Sequence, residues 1–300
     1  RWPPLPPPLG PPGVRRAGMG QGLCRDAGDG DGGKEHAVSP GSKYLQKQTM
    51  RPKRVILIRH GQSEGNLHRS ITQSVPDHLI HLTAKGREQA LECGRRLKSI
   101  IGDGSAEFVS SPYVRAMETL FGIAQSFGGK DAIDWVEDVY IREQDFGNFD
   151  KPEARALHQE KKMFGKFYYR FPEGESPADL FQRAGLFLES LYRKWESRYT
   201  DNMVIVSHEL FIIVFLMRLF RWPVRDFYAF EDLTNCEIIV LEREEHSIKF
   251  EPAYTWPSTS DEKVPGGITR KATPPADPEI WDGNPDAPEI VSIATRKNTG

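Results

Sequence analysis

The sequence predicts an α/β fold, a three-layer sandwich with a mostly parallel central sheet and helices on both faces. Short apolar runs rich in β-branched residues, such as 55–58 (Val-Ile-Leu-Ile) and 203–206 (Met-Val-Ile-Val), alternate with longer stretches whose apolar residues recur at helical spacing. Both runs stop abruptly in a polar residue, a histidine and a turn: Arg59-His60-Gly61 after the first, Ser207-His208-Glu209 after the second. In open α/β sheets ligands are held at the carboxyl ends of the strands.

The elements follow in order. After the first strand, residues 63–81 read as polar loop, and His68, His78 and His81 within it as solvated or lid residues. A helix opens at Leu82-Thr83 with Thr83 as N-cap. It carries Ala90, Gly94, Leu97 and Ile101 on one stripe and stops at Gly102-Asp103-Gly104. A second strand, 107–110, runs into Ser111-Pro112, which reads as an N-cap followed by Pro at the first helical position. That places Arg115 one turn into a helix. Residues 135–141 have strand composition and lead into Arg142-Glu143-Gln144-Asp145-Phe146-Gly147. Lys161, Lys162, Lys166 and Arg170 then interleave with aromatic residues, as a cap over a site or as a solvated, partly buried helix. Ser176-Pro177 repeats the helix-start signal, and Leu180, Ala184, Phe187, Leu191 and Trp195 form a core stripe. Strand 203–206, helix 210–220, a strand at 236–241 and a short edge strand at 248–250 complete the series.

Composition sets limits on function. The chain has 300 residues, with 40 Lys and Arg against 42 Asp and Glu, a formal net charge of −2. Nothing in that balance argues for nucleic acid or for a polybasic membrane surface. Cys24, Cys93 and Cys236 are far apart and form no Cys-x-x-Cys pair. Neither a disulfide framework nor a metal site is expected, and a reducing, cytoplasmic location fits. The apolar run 210–220 is interrupted by Arg218 and is too short to span a bilayer, so no transmembrane segment is expected. No secretory signal is read at the N-terminus. One folded domain is expected over residues 51–254, between disordered tails at 1–50 and 255–300. The first tail is mostly Pro and Gly over 1–13 and alternates Asp and Gly over 26–33, with nothing to bury. The first Met is Met19, and residues before it read as an upstream extension. A start there puts Gly20 second and Cys24 sixth, a partial match to an acylation pattern that prefers Ser or Thr at the sixth place; a plain tail is the expectation.

The strand ends carry the chemistry. Arg59 offers a planar fork of donors for phosphate oxygens. A neutral His60 offers a lone pair that can attack phosphorus, and Gly61 lets backbone approach closely. Alone, the Arg-His pair is an ordinary strand-to-loop junction. With Arg115 at a helix start and His208 at another strand end, it becomes a constellation of two arginines and two histidines.

These residues resemble the histidine phosphatase superfamily, the phosphoglycerate mutase-like family, and within it the plant-type phosphoglycerate mutase-like proteins. Arg59-His60-Gly61 is similar to its signature, extended by residues 62–66. Leu82-Thr83, Gly86 and Gln89-Ala90 match its first helix, Ser111-Pro112 through Thr119 its second motif, residues 142–147 its third and Ser207-His208 its last. The resemblance covers residues 53–250. It implies a metal-independent phosphomonoester hydrolase with no cofactor, acting on a phosphorylated small molecule or phosphoprotein. His60 would be the nucleophile. Arg59 and Arg115 would grip the phosphate, with Asn66 helping and His208 adding a donor in its charged form. Glu143 would protonate the leaving oxygen and then activate water. The same residues would serve a phosphoglycerate mutase, and a non-catalytic module that binds a phosphorylated ligand is a third expectation. One residue departs from the pattern: the mutase-like branch has Gly where this chain has Glu209. Glu209 is expected either to be a second acid or to point outward at a helix N-terminus, where negative charge is favoured.

Overall fold

Side-chain alternation along the strands divides the molecule into layers. In the computed structural model, which describes residues 51–147, 160–161, 163–230, 232–245 and 247–265, the first strand, β1 (Arg54–Arg59), buries Val55 and Leu57 on one side of the sheet and Ile56 and Ile58 on the other. Strand β4 (Asn202–Ser207) does the same with Met203 and Ile205 against Val204 and Val206. Strands buried on both faces need helices on both faces. Helices α1 (Ala84–Ile101) and α2 (Val114–Ala124) cover the second face with Ala90, Leu97, Leu120 and Ile123. Helices α3 (Pro177–Ser197) and α4 (Glu209–Phe220) cover the first with Leu180, Phe187, Trp195 and Phe215.

Among the described residues the sheet has seven strands in the order β3-β2-β4-β1-β5-β6-β7, where β2 is Ala106–Ser110, β3 Asp134–Glu137, β5 Ile238–Arg243, β6 Phe250–Trp256 and β7 Val264–Pro265. Strands β3, β2, β4 and β1 are parallel, and β5 to β7 extend them antiparallel. Register aligns Arg59 with Ser207 and Ser110 with Val206. Three strands thus end at one level, and the segment that turns into antiparallel β5 arrives at the same edge.

Caps set the helix boundaries. The Thr83 hydroxyl accepts the Gly86 N–H at 3.0 Å at the start of α1, and Gly102, at φ 60°, ends it. Ser176 and Asp179 form a reciprocal capping box at the start of α3, with Pro177 in the first turn. The loop 63–81 is more ordered than its polarity suggests. It holds a helical turn, Glu64–Leu67, closed by a box between Ser63 and Asn66, and two 3₁₀ turns.

Several expectations change. The N-cap position of α2 is Tyr113, two residues past Ser111, and its side chain makes no cap bond; the buried Ser111 hydroxyl accepts the Tyr113 N–H at 3.3 Å and also meets His208. Arg115 therefore sits in the first turn. The strand read at 135–141 stops at Glu137, where Asp138 accepts the Tyr140 N–H and folds 139–141 into a 3₁₀ turn. The strand read at 236–241 starts at Ile238, because Cys236 turns the chain at φ 57°. The edge strand read at 248–250 is the long β6, with β7 outside it. The sheet also runs past the boundary expected at residue 254. Tyr254 and Trp256 pack on the α1 side of the core, and the Arg96 guanidinium lies 5.0 Å over the Trp256 ring.

Residues 1–50, with Met19, Gly20, Cys24 and His36, lie outside the described residues, as do 148–159, Lys162, His246 and 266–300. Among the described residues no helix is long and apolar enough to cross a membrane.

Candidate functional site

The carboxyl ends of β1, β4 and β2 bring His60, His208 and Ser111 together. The His60 and His208 rings lie 5.2 Å apart, and both residues are buried. His60 Nδ1 is 2.7 Å from the Gly61 carbonyl oxygen, so Nδ1–H donates and Nε2 keeps its lone pair. Burial first, then the charges of Arg115 and Arg59, hold His60 well below the usual histidine range. The imidazole is neutral and its tautomer is set by backbone.

The positions around His60 are locked by close backbone approaches. A Cβ on Gly61 would meet the Gly86 carbonyl oxygen at 2.6 Å, and one on Gly86 would meet the Gln62 oxygen at 2.0 Å. The Gly61 N–H donates to Thr119 Oγ1 (2.9 Å), whose hydroxyl donates to the Arg115 carbonyl (2.7 Å). From the β5 side, the Cys236 N–H donates to the Arg59 carbonyl (3.0 Å), and Asn235 Nδ2 donates to the His60 carbonyl (3.1 Å). The positive φ at Cys236 belongs to this clasp.

Both arginines face carboxylates. Arg115 is buried and donates through Nη1 and Nη2 to the two Asp77 oxygens at 3.0 and 3.1 Å, with its guanidinium 4.9 Å over Tyr113. Arg59 donates through Nη1 to the Leu233 carbonyl and to Glu209 Oε2, the latter at 2.9 Å, while its Nε is buried with no partner. A carboxylate oxygen on a guanidinium occupies the place a phosphate oxygen would take. Glu209 is thus neither turned out to solvent nor free as an acid. It pairs with Arg59, and its other oxygen accepts the Leu233 N–H at 3.2 Å. Burial, more than any neighbour, pushes its carboxyl pKa up.

His208 begins α4 as its N-cap residue. Its Nε2 lies 2.8 Å from Ser111 Oγ, and Nδ1 is buried with no partner. With the Ser111 hydroxyl donating to Nε2, Nδ1 carries the proton and is a donor without a partner. Burial, then the charges of Arg115, His60 and Arg59, hold His208 well below the usual range.

Glu143 stands in the loop after β3, and Arg183 builds that loop. Arg183 donates to the carbonyls of Tyr140 (2.5 Å), Arg142 (3.2 Å) and Glu143 (3.2 Å), and pairs with both Glu175 oxygens at 2.9 and 2.8 Å. Desolvation raises the Glu143 carboxyl to about 7, against the Gln144 N–H bond (2.9 Å) and the Arg115 charge, which lower it. Glu143, Glu209, Asp232 and Lys166 line one cavity of about 360 Å³. Phe146, Leu210, Ile213 and Phe227 supply apolar wall. Lys166 thus belongs to the site, while Phe167 and Tyr169 of the same basic-aromatic stretch are buried.

Asn66 lies at the rim. Its Oδ1 accepts the Ser63 N–H (3.0 Å) and the Asn235 amide (3.2 Å), so it holds the helical turn and ties that turn to the β5 loop. Sequence reading missed Asp77, Arg183, Glu175 and Asn235. Only Arg183 left a signal, an arginine on the apolar stripe of α3 one turn after Leu180. Among the described residues, no group of three or more His, Cys, Asp or Glu is placed to hold a metal ion.

Comparison with known proteins identifies the family. The model of the histidine phosphatase superfamily (branch 1) matches residues 55–253. The phosphoglycerate mutase-like protein AT74 of Arabidopsis thaliana is 44% identical over 219 residues, covering 68% of this chain and 67% of its own. The broad-range acid phosphatase DET1 of Saccharomyces cerevisiae is 28% identical over 289 residues, covering 65% and 86%. The mycobacterial glucosyl-3-phosphoglycerate phosphatase in complex with VO3 shares the fold at a TM-score of 0.55 and 22% identity, covering 67% of this chain and 97% of that one. The chain belongs to the histidine phosphatase superfamily.

Proposed function

We propose that this member of the superfamily hydrolyses phosphomonoesters without a metal, through a phosphohistidine on His60. The observation that carries this is the His60 imidazole itself: Nδ1–H is fixed on the Gly61 carbonyl, and Nε2 is left unprotonated beside two guanidiniums. Nε2 attacks phosphorus in line. The P–N bond forms as the bond to the ester oxygen breaks, and Glu143, protonated below its pKa of about 7, gives its proton to the leaving alcohol. The Glu143 carboxylate then takes a proton from water, whose oxygen displaces Nε2. This releases inorganic phosphate and restores both groups. Arg59 and Arg115 exchange their carboxylate partners for phosphate oxygens. The phosphate dianion supplies the negative charge that favours protonated His208, whose Nδ1–H donates to it. Asn66 holds the rim.

A mutase must recognise the carboxylate of phosphoglycerate. The cavity that Glu143 and Glu209 line offers one cation, Lys166, against Glu209 and Asp232, which favours water as the acceptor. The catalytic domain in this reading runs from residue 51 through the last strand of the sheet, and a cytoplasmic, reducing location goes with its free buried Cys93 and Cys236. Phosphate release from a panel of monoesters in the presence of a chelator tests the proposal, with His60→Ala as blank. Acid-labile phosphate should be trapped on the wild type only. Isomerised phosphoglycerate in place of free phosphate supports the mutase, and phosphoester binding without turnover supports a non-catalytic module.

A further inference from the structure

The phosphate grip accounts for Arg59, Arg115 and His208 but not for the cavity lined by Glu143 and Glu209, the carboxyl group paired with Arg59. That cavity, of about 360 Å³, has room for a ring-sized group, and Phe146, Ile213 and Phe227 give it apolar wall. Its charges are unbalanced. Glu209 carries the charge that distinguishes this chain from the Gly at that place in the resembling branch. Asp232 is exposed and close enough to Glu209 to raise its pKa, and Glu209 in turn raises that of Glu143. Lys166 is the cation among the lining residues. Once Arg59 and Arg115 are engaged by phosphate, a second anion on the substrate meets these carboxylates with one amine to offset them.

Resting on the phosphomonoesterase reading, we propose that Glu209 and Asp232 set specificity. They select monoesters whose alcohol part is aromatic or apolar and carries no second negative charge, and they favour one carrying an amine. Glu209 acts twice, as the resident partner of Arg59 and as a wall of the leaving-group cavity.

A matched series tests this: phenyl phosphate, 4-carboxyphenyl phosphate and 4-(aminomethyl)phenyl phosphate. The carboxylate does not make the phenol a poorer leaving group, so a slower reaction reports the cavity. The kcat/KM of the wild type should fall about tenfold from the neutral to the carboxylate ester, the size of one repulsive charge contact in a partly wet cavity. The amine ester should react at least as well as the neutral one. Asp232→Asn, an exposed change that leaves the core intact, should narrow the spread about threefold, and Glu209→Gln should narrow it further. Binding of the three esters to His60→Ala, measured by calorimetry, gives the same ranking without turnover. Equal or better handling of the carboxylate ester overturns the proposal, as does a spread that neither variant narrows. Failure of every ester to turn over, with the ranking preserved in binding, counts against the phosphomonoesterase reading and leaves the cavity assignment standing.

Discussion

Replacing Glu143 by Gln removes the proposed proton donor while keeping its shape and its acceptor for the Gln144 N–H. The structure sets the size and sign of the effect. With a carboxyl pKa of about 7, Glu143 is about 90% protonated at pH 6 and about 10% at pH 8. Wild-type kcat/KM on an ester with a poor leaving group should therefore be high at pH 6 and fall through pH 7, about tenfold per unit beyond it. A positioned general acid contributes about 10²- to 10⁴-fold, so Glu143→Gln should lose that much on phenyl phosphate at pH 6. On 2,4-dinitrophenyl phosphate, whose leaving oxygen needs no proton, the loss should stay within about tenfold. The quantity to measure is kcat/KM, because it reports only the steps through the first phosphoryl transfer and so excludes the later task of Glu143 with water. Stopped-flow release of dinitrophenol from the variant should show a burst as phosphoenzyme accumulates. Two results refute the reasoning: phenyl phosphate turnover within about threefold of wild type, or an alkaline limb near pH 7 that survives the substitution.

Three further outcomes follow from the same geometry. His60 must be neutral to attack, and its pKa lies well below 6.5; protonation removes the nucleophile only as pH falls through that lowered value. The acid limb of kcat/KM should therefore lie below the ordinary histidine range, and an inflection at or above pH 6.5 contradicts the assignment. Arg183→Ala leaves Glu175 with Arg142 as its remaining ion-pair partner and frees three carbonyls of the Glu143 loop. It should cost about 1–3 kcal/mol in urea denaturation and lower kcat on poor leaving groups, and stability within about 0.5 kcal/mol of wild type would show that Arg183 does not hold the loop. Gly86→Ala drives a Cβ to 2.0 Å from the Gln62 carbonyl oxygen, backbone against backbone. Helix α1 must back away from the His60 loop, with a loss of about 1–3 kcal/mol in stability and a lower kcat. An unchanged Tm would mean that the contact is not made.

Much of this site was legible because strand ends and helix starts are local features. β-Branched runs located β1 and β4, and Thr83 and Ser176 located helix starts, since propensity and capping act within a few residues. His60, His208 and Arg115 were visible as residues that follow such boundaries. Ser111 shows the limit of local reading. Its sequence context is that of a helix cap, but the cap position falls two residues later, and its buried hydroxyl bridges the Tyr113 N–H and, across the sheet, His208. Cys236 reads as strand and is a turn, because its N–H is needed at the end of β1.

Local sequence therefore established the α/β alternation, the order of the strands along the chain, and which side chains would stand at their carboxyl ends. Electrostatic partners came from the tertiary structure alone. Asp77 meets Arg115 across 38 residues, and Arg183 meets the Glu143 carbonyl across 40. Glu209 is the clearest case. As a letter it was an acid at a helix start, and only the fold sets its carboxylate on Arg59, because that pairing depends on where the β5 loop closes over the end of β1. Desolvation is likewise a property of packing: it keeps His60 neutral and raises Glu143 to about 7.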